Sequence, residues 1–123
     1  GNYIRDYVYI DDVVQAFILA CVSDRASGEV FNIASGVGTS VKDAFHTVAE
    51  EVAVQTNIVV GFKDATWPLG SSKIDIRDFV ASIEKATSFL GWIPQKSLSH
   101  GVFETVRAIN LESAKDKQMR FKL

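Results

Sequence analysis

If residues 3–10 are extended, their side chains alternate in direction, with Ile4, Val8 and Ile10 on one face and Tyr3, Arg5, Tyr7 and Tyr9 on the other. The spacing therefore predicts a strand that runs straight into a helix from Asp12 to Ser23. Val13, Val14, Phe17, Ile18, Leu19, Cys21 and Val22 cover most of that helix's circumference, so it needs apolar cover on several sides. Residues 24–28 form a polar turn. Glu29 to Ala34 then reads as a buried strand, because Val30, Phe31 and Ile33 leave little alternation, as in a parallel sheet covered on both faces. Strand, helix and strand in this order form a βαβ unit, and the fold class is α/β with short parallel strands and packed helices.

Ser35 to Thr39 reads as a loop, with Ser40 as helix N-cap and Asp43 completing an approximate capping box. The helix behind it is amphipathic: Val41, Ala44, Phe45, Val48, Ala49 and Val52 share one face. Asn57 to Phe62 reads as a short strand, residues 63–73 as a loop and Ile74 to Ala81 as a second extended piece. Ser82 is expected to cap a short helix ending at Leu90, stopped by Gly91 and followed by Pro94. Ser97 opens a last helix with Leu98, Val102, Val106 and Ile109 on its inner stripe. From Glu112 the pattern turns polar, which divides the chain into a body over residues 1–111 and a polar tail or frayed helix end over 112–123.

With 123 residues and 47% hydrophobic content, the chain is sized for one folded domain with a core. A net charge of −2 gives no electrostatic footprint for nucleic acid, and the uncharged stretch Val13 to Ser23 is too short for a bilayer span. Neither nucleic acid nor membrane is an expected partner. One cysteine, Cys21, excludes an internal disulfide framework, and a cytoplasmic setting is the default.

Candidate chemistry is sparse. Gly36-Val37-Gly38 sits where a dinucleotide fingerprint would, but the third glycine position is Val41 and residues 55–57 supply no acid, so a plain turn is the better reading. His46 and His100 have no companion ligands at metal spacing. None of Tyr3, Tyr7 and Tyr9 is followed four residues later by a lysine. No catalytic, cofactor-binding or metal-ligating residue is therefore assigned. Arg5, set among phenol rings, suits a phosphate or carboxylate, because its fork of donors matches their oxygens. An ion pair with Asp6, Asp11 or Asp12 is the competing reading. Lys73 and Arg77 flank the Ile74 segment as further cations for the same ligand, or else as solvated surface charges.

Several stretches together resemble the C-terminal part of extended short-chain dehydrogenases/reductases, the NAD-dependent nucleotide-sugar epimerases and dehydratases. They are residues 5–16 (RDYVYIDDVVQA), 28–36 (GEVFNIASG) with Ser40 after them, 78–86 (DFVASIEKA), 90–94 (LGWIP) and 97–102 (SLSHGV). The resemblance implies an N-terminal Rossmann domain that carries the glycine-rich loop and a Tyr-x-x-x-Lys pair, with the nucleotide sugar between it and the region represented here. NAD would then belong to the full-length enzyme, with none expected on this fragment. Arg5 falls on the family arginine that contacts the nucleotide diphosphate. The second diphosphate arginine has Ser71-Ser72-Lys73 in its neighbourhood, with Arg77 following; Ser82 stands for a usual aspartate and His100 for a usual glutamate.

The expectation is thus a non-catalytic, substrate-binding fragment of an epimerase (isomerase) or dehydratase (lyase) of carbohydrate metabolism. Its expected partners are a nucleotide sugar, the missing Rossmann domain and a second copy through exposed apolar faces. The alternatives are a non-enzymatic module sharing the fold and a fragment of an NAD(P)-dependent sugar or carbonyl reductase.

Overall fold

The computed structural model describes residues 1–63, 65–66 and 76–120, with side chains through residue 113. Strand β1 (Ile4–Asp6) pairs antiparallel with β2 (Gly38–Ser40), placing Ile4 opposite Ser40, Arg5 opposite Thr39 and Asp6 opposite Gly38. The described residues also form four α-helices: α1 (Ile10–Val22), α2 (Val41–Thr56), α3 (Glu84–Leu90) and α4 (Leu98–Arg120). None of the described helices is long and apolar enough to cross a membrane.

Local chemistry explains the helix ends. The Asp43 N–H donates to Ser40 Oγ at 3.0 Å, which caps α2, and that hydroxyl donates to Asp43 Oδ2 at 2.6 Å. Asn57, in the left-handed region at φ 58°, ends α2, and Gly91, at φ 65°, ends α3 with its N–H on the Thr87 carbonyl. The His100 N–H donates to Ser97 Oγ at 3.3 Å at the start of α4. Ser82 does not cap α3; its N-cap is Ile83, and Ser82 Oγ accepts at 3.4 Å from the Glu84 N–H.

The core lies between α1 and α3. Ala16, Ala86 and Trp92 are buried there, packed by Val8, Leu19, Phe31, Ile33, Ile83 and Leu90. Trp92, 1% exposed, donates from Nε1 to the Asp12 carbonyl at 2.8 Å. The carboxylate of Asp12 is itself buried and accepts the Lys96 N–H at 3.0 Å, which straps residues 92–96 across the start of α1. A second layer forms where α2 packs on α4, tied by Gln55 Nε2 donating to the Phe103 carbonyl at 3.0 Å. Gly101 is required there, because a Cβ would sit 2.8 Å from the Tyr9 ring.

Several expectations are corrected. The first strand stops at Asp6, and α1 begins at Ile10, two residues before the acid expected to start it. Residues 29–34 form no strand, and the sheet is antiparallel rather than parallel. The physical reason is that residues 30–33 have no neighbouring strand among the described residues to complete a ladder, and Val30 is 81% exposed. Residues 57–62 likewise form no strand. Ile74 and Asp75 lie outside the described residues.

Candidate functional site

Arg5 occupies the middle of β1, directly opposite Thr39, so the two side chains share a face of the ribbon. Its Nη1 donates to the Ile4 carbonyl at 2.8 Å and to the Arg77 carbonyl. The structure thus brings Arg5 and Arg77 together, but through the Arg77 backbone. The Arg77 guanidinium lies 5.5 Å from the centre of the Phe79 ring. Lys73 lies outside the described residues.

Thr39 and Tyr7 line a cavity of about 250 Å³ together with Ser35, Gln95, Lys96 and Ser97. Val37, Pro94 and Leu98 also line it, so its wall is largely apolar with a few polar groups, and Arg5 is not among its lining residues. Lys96 Nζ also lies 5.0 Å from the centre of the Tyr9 ring and 3.9 Å from Asp11 Oδ2. Tyr7 and Tyr9 further line an apolar cavity of about 370 Å³ between α2 and α4.

Three acids that the sequence pattern did not single out as site residues organise this region. Asp6 Oδ1 accepts from the Ser35 N–H at 2.7 Å and the Ser35 hydroxyl at 2.6 Å, and Oδ2 accepts from the Gly36 N–H at 3.0 Å and the Ala81 N–H at 3.3 Å. Asp78 Oδ1 accepts from the Ile4 N–H at 2.8 Å. Asp12 holds the strap that carries Lys96. The only available signal was that acids inside or beside short strands must find donors, and it does not say which donors.

The glycines at 36 and 38 serve packing rather than a pyrophosphate. A Cβ on Gly38 would lie 2.7 Å from Ile4 Cγ2 and 2.9 Å from Val80 Cγ2, so the chain's own side chains fill the space a cofactor would need. Gly36, at φ 71°, makes the turn into β2 and gives its N–H to Asp6. The Ser40 cap at the start of α2 is already engaged with Asp43. These residues do not form an NAD cradle. Among the described residues, no group of three or more His, Cys, Asp or Glu is placed to hold a metal ion.

Residues 1–34 match the model of the NAD dependent epimerase/dehydratase family. The dTDP-4-dehydro-6-deoxyglucose reductase of Escherichia coli is 31% identical over 105 residues, covering 85% of this chain and 30% of that protein. The UDP-glucose 4-epimerase of Mycolicibacterium smegmatis is 33% identical over 106 residues, covering 86% of this chain and 31% of that protein. Among solved structures, MoeE5 in complex with UDP-glucuronic acid and NAD aligns with a TM-score of 0.70 at 27% identity, covering 91% of this chain and 35% of MoeE5. The chain spans about 30% of the length of the curated relatives it matches.

Proposed function

We propose that this chain, which belongs to the NAD dependent epimerase/dehydratase family, is the substrate-side, C-terminal portion of a nucleotide-sugar-modifying enzyme. Its role is to hold the nucleotide diphosphate, with Arg5 as the principal contact. The observation that carries this reading is the Arg5 guanidinium itself, held by the Ile4 and Arg77 carbonyls at the edge of β1 on the ribbon face that Tyr7 and Thr39 share. Thr39, Tyr7 and Lys96 add donors of the kind a phosphate or sugar hydroxyl takes. Arg77 supplies its carbonyl to Arg5, and its guanidinium is a secondary cation; Lys73 keeps the role expected from its position in sequence.

Holding the diphosphate fixes where the sugar lies, and such positioning converts a bimolecular encounter into an intramolecular one. NAD supplies hydride chemistry in the full-length enzyme. Gly36, Gly38 and Ser40 are engaged within the chain and do not supply its cradle, which supports reading this portion as the substrate side. Two features support a larger parent. Apolar side chains of α1 stand exposed, Phe17 at 68% among them with Ile10, Val14, Ile18 and Val22. Beside them a groove of about 300 Å³ is lined by Ala16, Ala20, Val30, Phe31, Ile33 and Leu90. A Rossmann domain packed on that groove would cover the helix and give residues 30–33 a neighbouring strand. A second copy of the chain could cover the same surface.

Calorimetric titration with UDP-, dTDP-, GDP- and CDP-sugars and with NAD, on the chain and on Arg5→Ala, tests the reading. We expect one nucleotide sugar to bind weakly and NAD not to bind. Loss of Arg5 should weaken that binding by about 10- to 150-fold, the worth of a charge-assisted hydrogen bond. Unchanged affinity in the variant, or binding of NAD alone, overturns it. The E. coli relative's name favours a second reading, a sugar-carbonyl reductase, which net reduction of a keto-sugar by the full-length enzyme, rather than epimerisation or dehydration, would support.

A further inference from the structure

We propose that Asp78 is a positioning residue for Arg5: its carboxylate takes over a backbone hydrogen bond and so releases the Arg77 carbonyl to orient the guanidinium. The proposal rests on the reading that Arg5 holds the diphosphate. Residues 78–81 run beside the edge of β1 that faces away from β2. The Phe79 N–H donates to the Ile4 carbonyl at 3.1 Å, and the Ala81 N–H donates to Asp6 Oδ2 at 3.3 Å. Phe79 therefore lies by Ile4 and Ala81 by Asp6, so the two segments run in the same direction.

A regular parallel ladder that contains the Phe79-to-Ile4 bond has a fixed second bond, from the Ile4 N–H to the carbonyl of residue 77. That bond is replaced. The Ile4 N–H donates instead to Asp78 Oδ1 at 2.8 Å, and the Arg77 carbonyl accepts from Arg5 Nη1. The same Nη1 donates to the Ile4 carbonyl at 2.8 Å. Two carbonyls on one guanidinium nitrogen fix the plane of that group before any ligand arrives, which lowers the ordering cost of binding. Asp78 acts here as a hydrogen-bond acceptor, and an amide in its place, which keeps an acceptor oxygen, should serve.

The test compares the unmodified chain with Asp78→Ala, Asp78→Asn and Arg5→Ala. The first readout is 15N relaxation of the Arg5 Nε–H in the free protein, and the second is titration with UDP. In Asp78→Ala the Ile4 N–H turns to the Arg77 carbonyl and displaces Arg5. The Nε order then falls, and UDP affinity drops by about 2- to 13-fold, the range expected for ordering one long side chain at the moment of binding. In Asp78→Asn both properties stay near those of the unmodified chain. Equal Nε order in Asp78→Ala overturns the proposal, as does an Asp78→Asn variant as mobile as Asp78→Ala. Arg5→Ala separates the two levels. Unchanged UDP affinity in that variant overturns the diphosphate reading while the relaxation result still decides the role of Asp78. Loss of affinity in Arg5→Ala with full affinity in Asp78→Ala overturns only the latter.

Discussion

Substituting Gly38 with alanine separates a packing glycine from a cofactor glycine. The new methyl carbon would stand 2.7 Å from Ile4 Cγ2 and 2.9 Å from Val80 Cγ2. Both neighbours are β-branched, so neither contact can be relieved by swinging the far end of a flexible side chain. Gly38 cannot slide away either, because it faces Asp6 in the β1–β2 register. Relief requires pushing two side chains off their rotamers, at about 0.5–1.5 kcal/mol each. The sum, about 1–3 kcal/mol, matches the usual cost of overpacking. For a chain of this size that is a fall of about 3–15 °C in Tm. Urea denaturation followed by far-UV circular dichroism reads the effect without a dye that the exposed apolar surface would bind, and the midpoint should fall at constant slope. Gly61→Ala is the control: none of the described residues lies within 4 Å of its added carbon, so its midpoint should stay level or rise slightly. An unchanged midpoint in Gly38→Ala would refute the packing argument and reopen that loop as a ligand cradle.

Two further outcomes follow from the same contacts. Asp12→Ala should lose about 1–3 kcal/mol, because it leaves the Lys96 N–H without its acceptor; Asp12→Asn should lose less, and urea midpoints compare the two. The chain should enhance the fluorescence of a hydrophobic dye, and Phe17→Asp should reduce that signal without lowering the urea midpoint, since Phe17 is 68% exposed.

What could be read from the sequence divides by range. The Ser40 cap, the Gly91 stop and the Ser97 helix start each depend on residues within four positions, and the structure places them as expected. The strand expected over residues 29–34 depends on a neighbour that its own composition cannot provide, and it does not form. The same limit applies at the site. Arg5 stood out because a guanidinium among tyrosines is chemically conspicuous. Its orienting partner lies 72 residues away, at a backbone carbonyl that no side-chain pattern reports. The roles of Asp6 and Asp78 are not legible in the sequence, because the backbone N–H groups they accept from, at Ser35, Gly36, Ala81 and Ile4, are brought in from elsewhere in the chain.

The uncovered face and the candidate site are neighbours along the chain. Arg5 is five residues before Ile10, the exposed first residue of α1, and Tyr7 lies between them at the cavity. A domain laid on α1 would therefore come within reach of the cavity as well, because only residues 7–9 separate strand from helix. In the proposed enzyme, the surface that buries Phe17 and Ile18 would set how closely that domain approaches a ligand held by Arg5. Substitutions on α1 that weaken this docking should then reduce turnover in the full-length enzyme while leaving nucleotide binding by this portion unchanged. Loss of Arg5 should do the reverse, weakening binding while docking persists. A full-length enzyme in which Phe17→Asp lowers neither docking nor turnover would show that α1 is not the contact face.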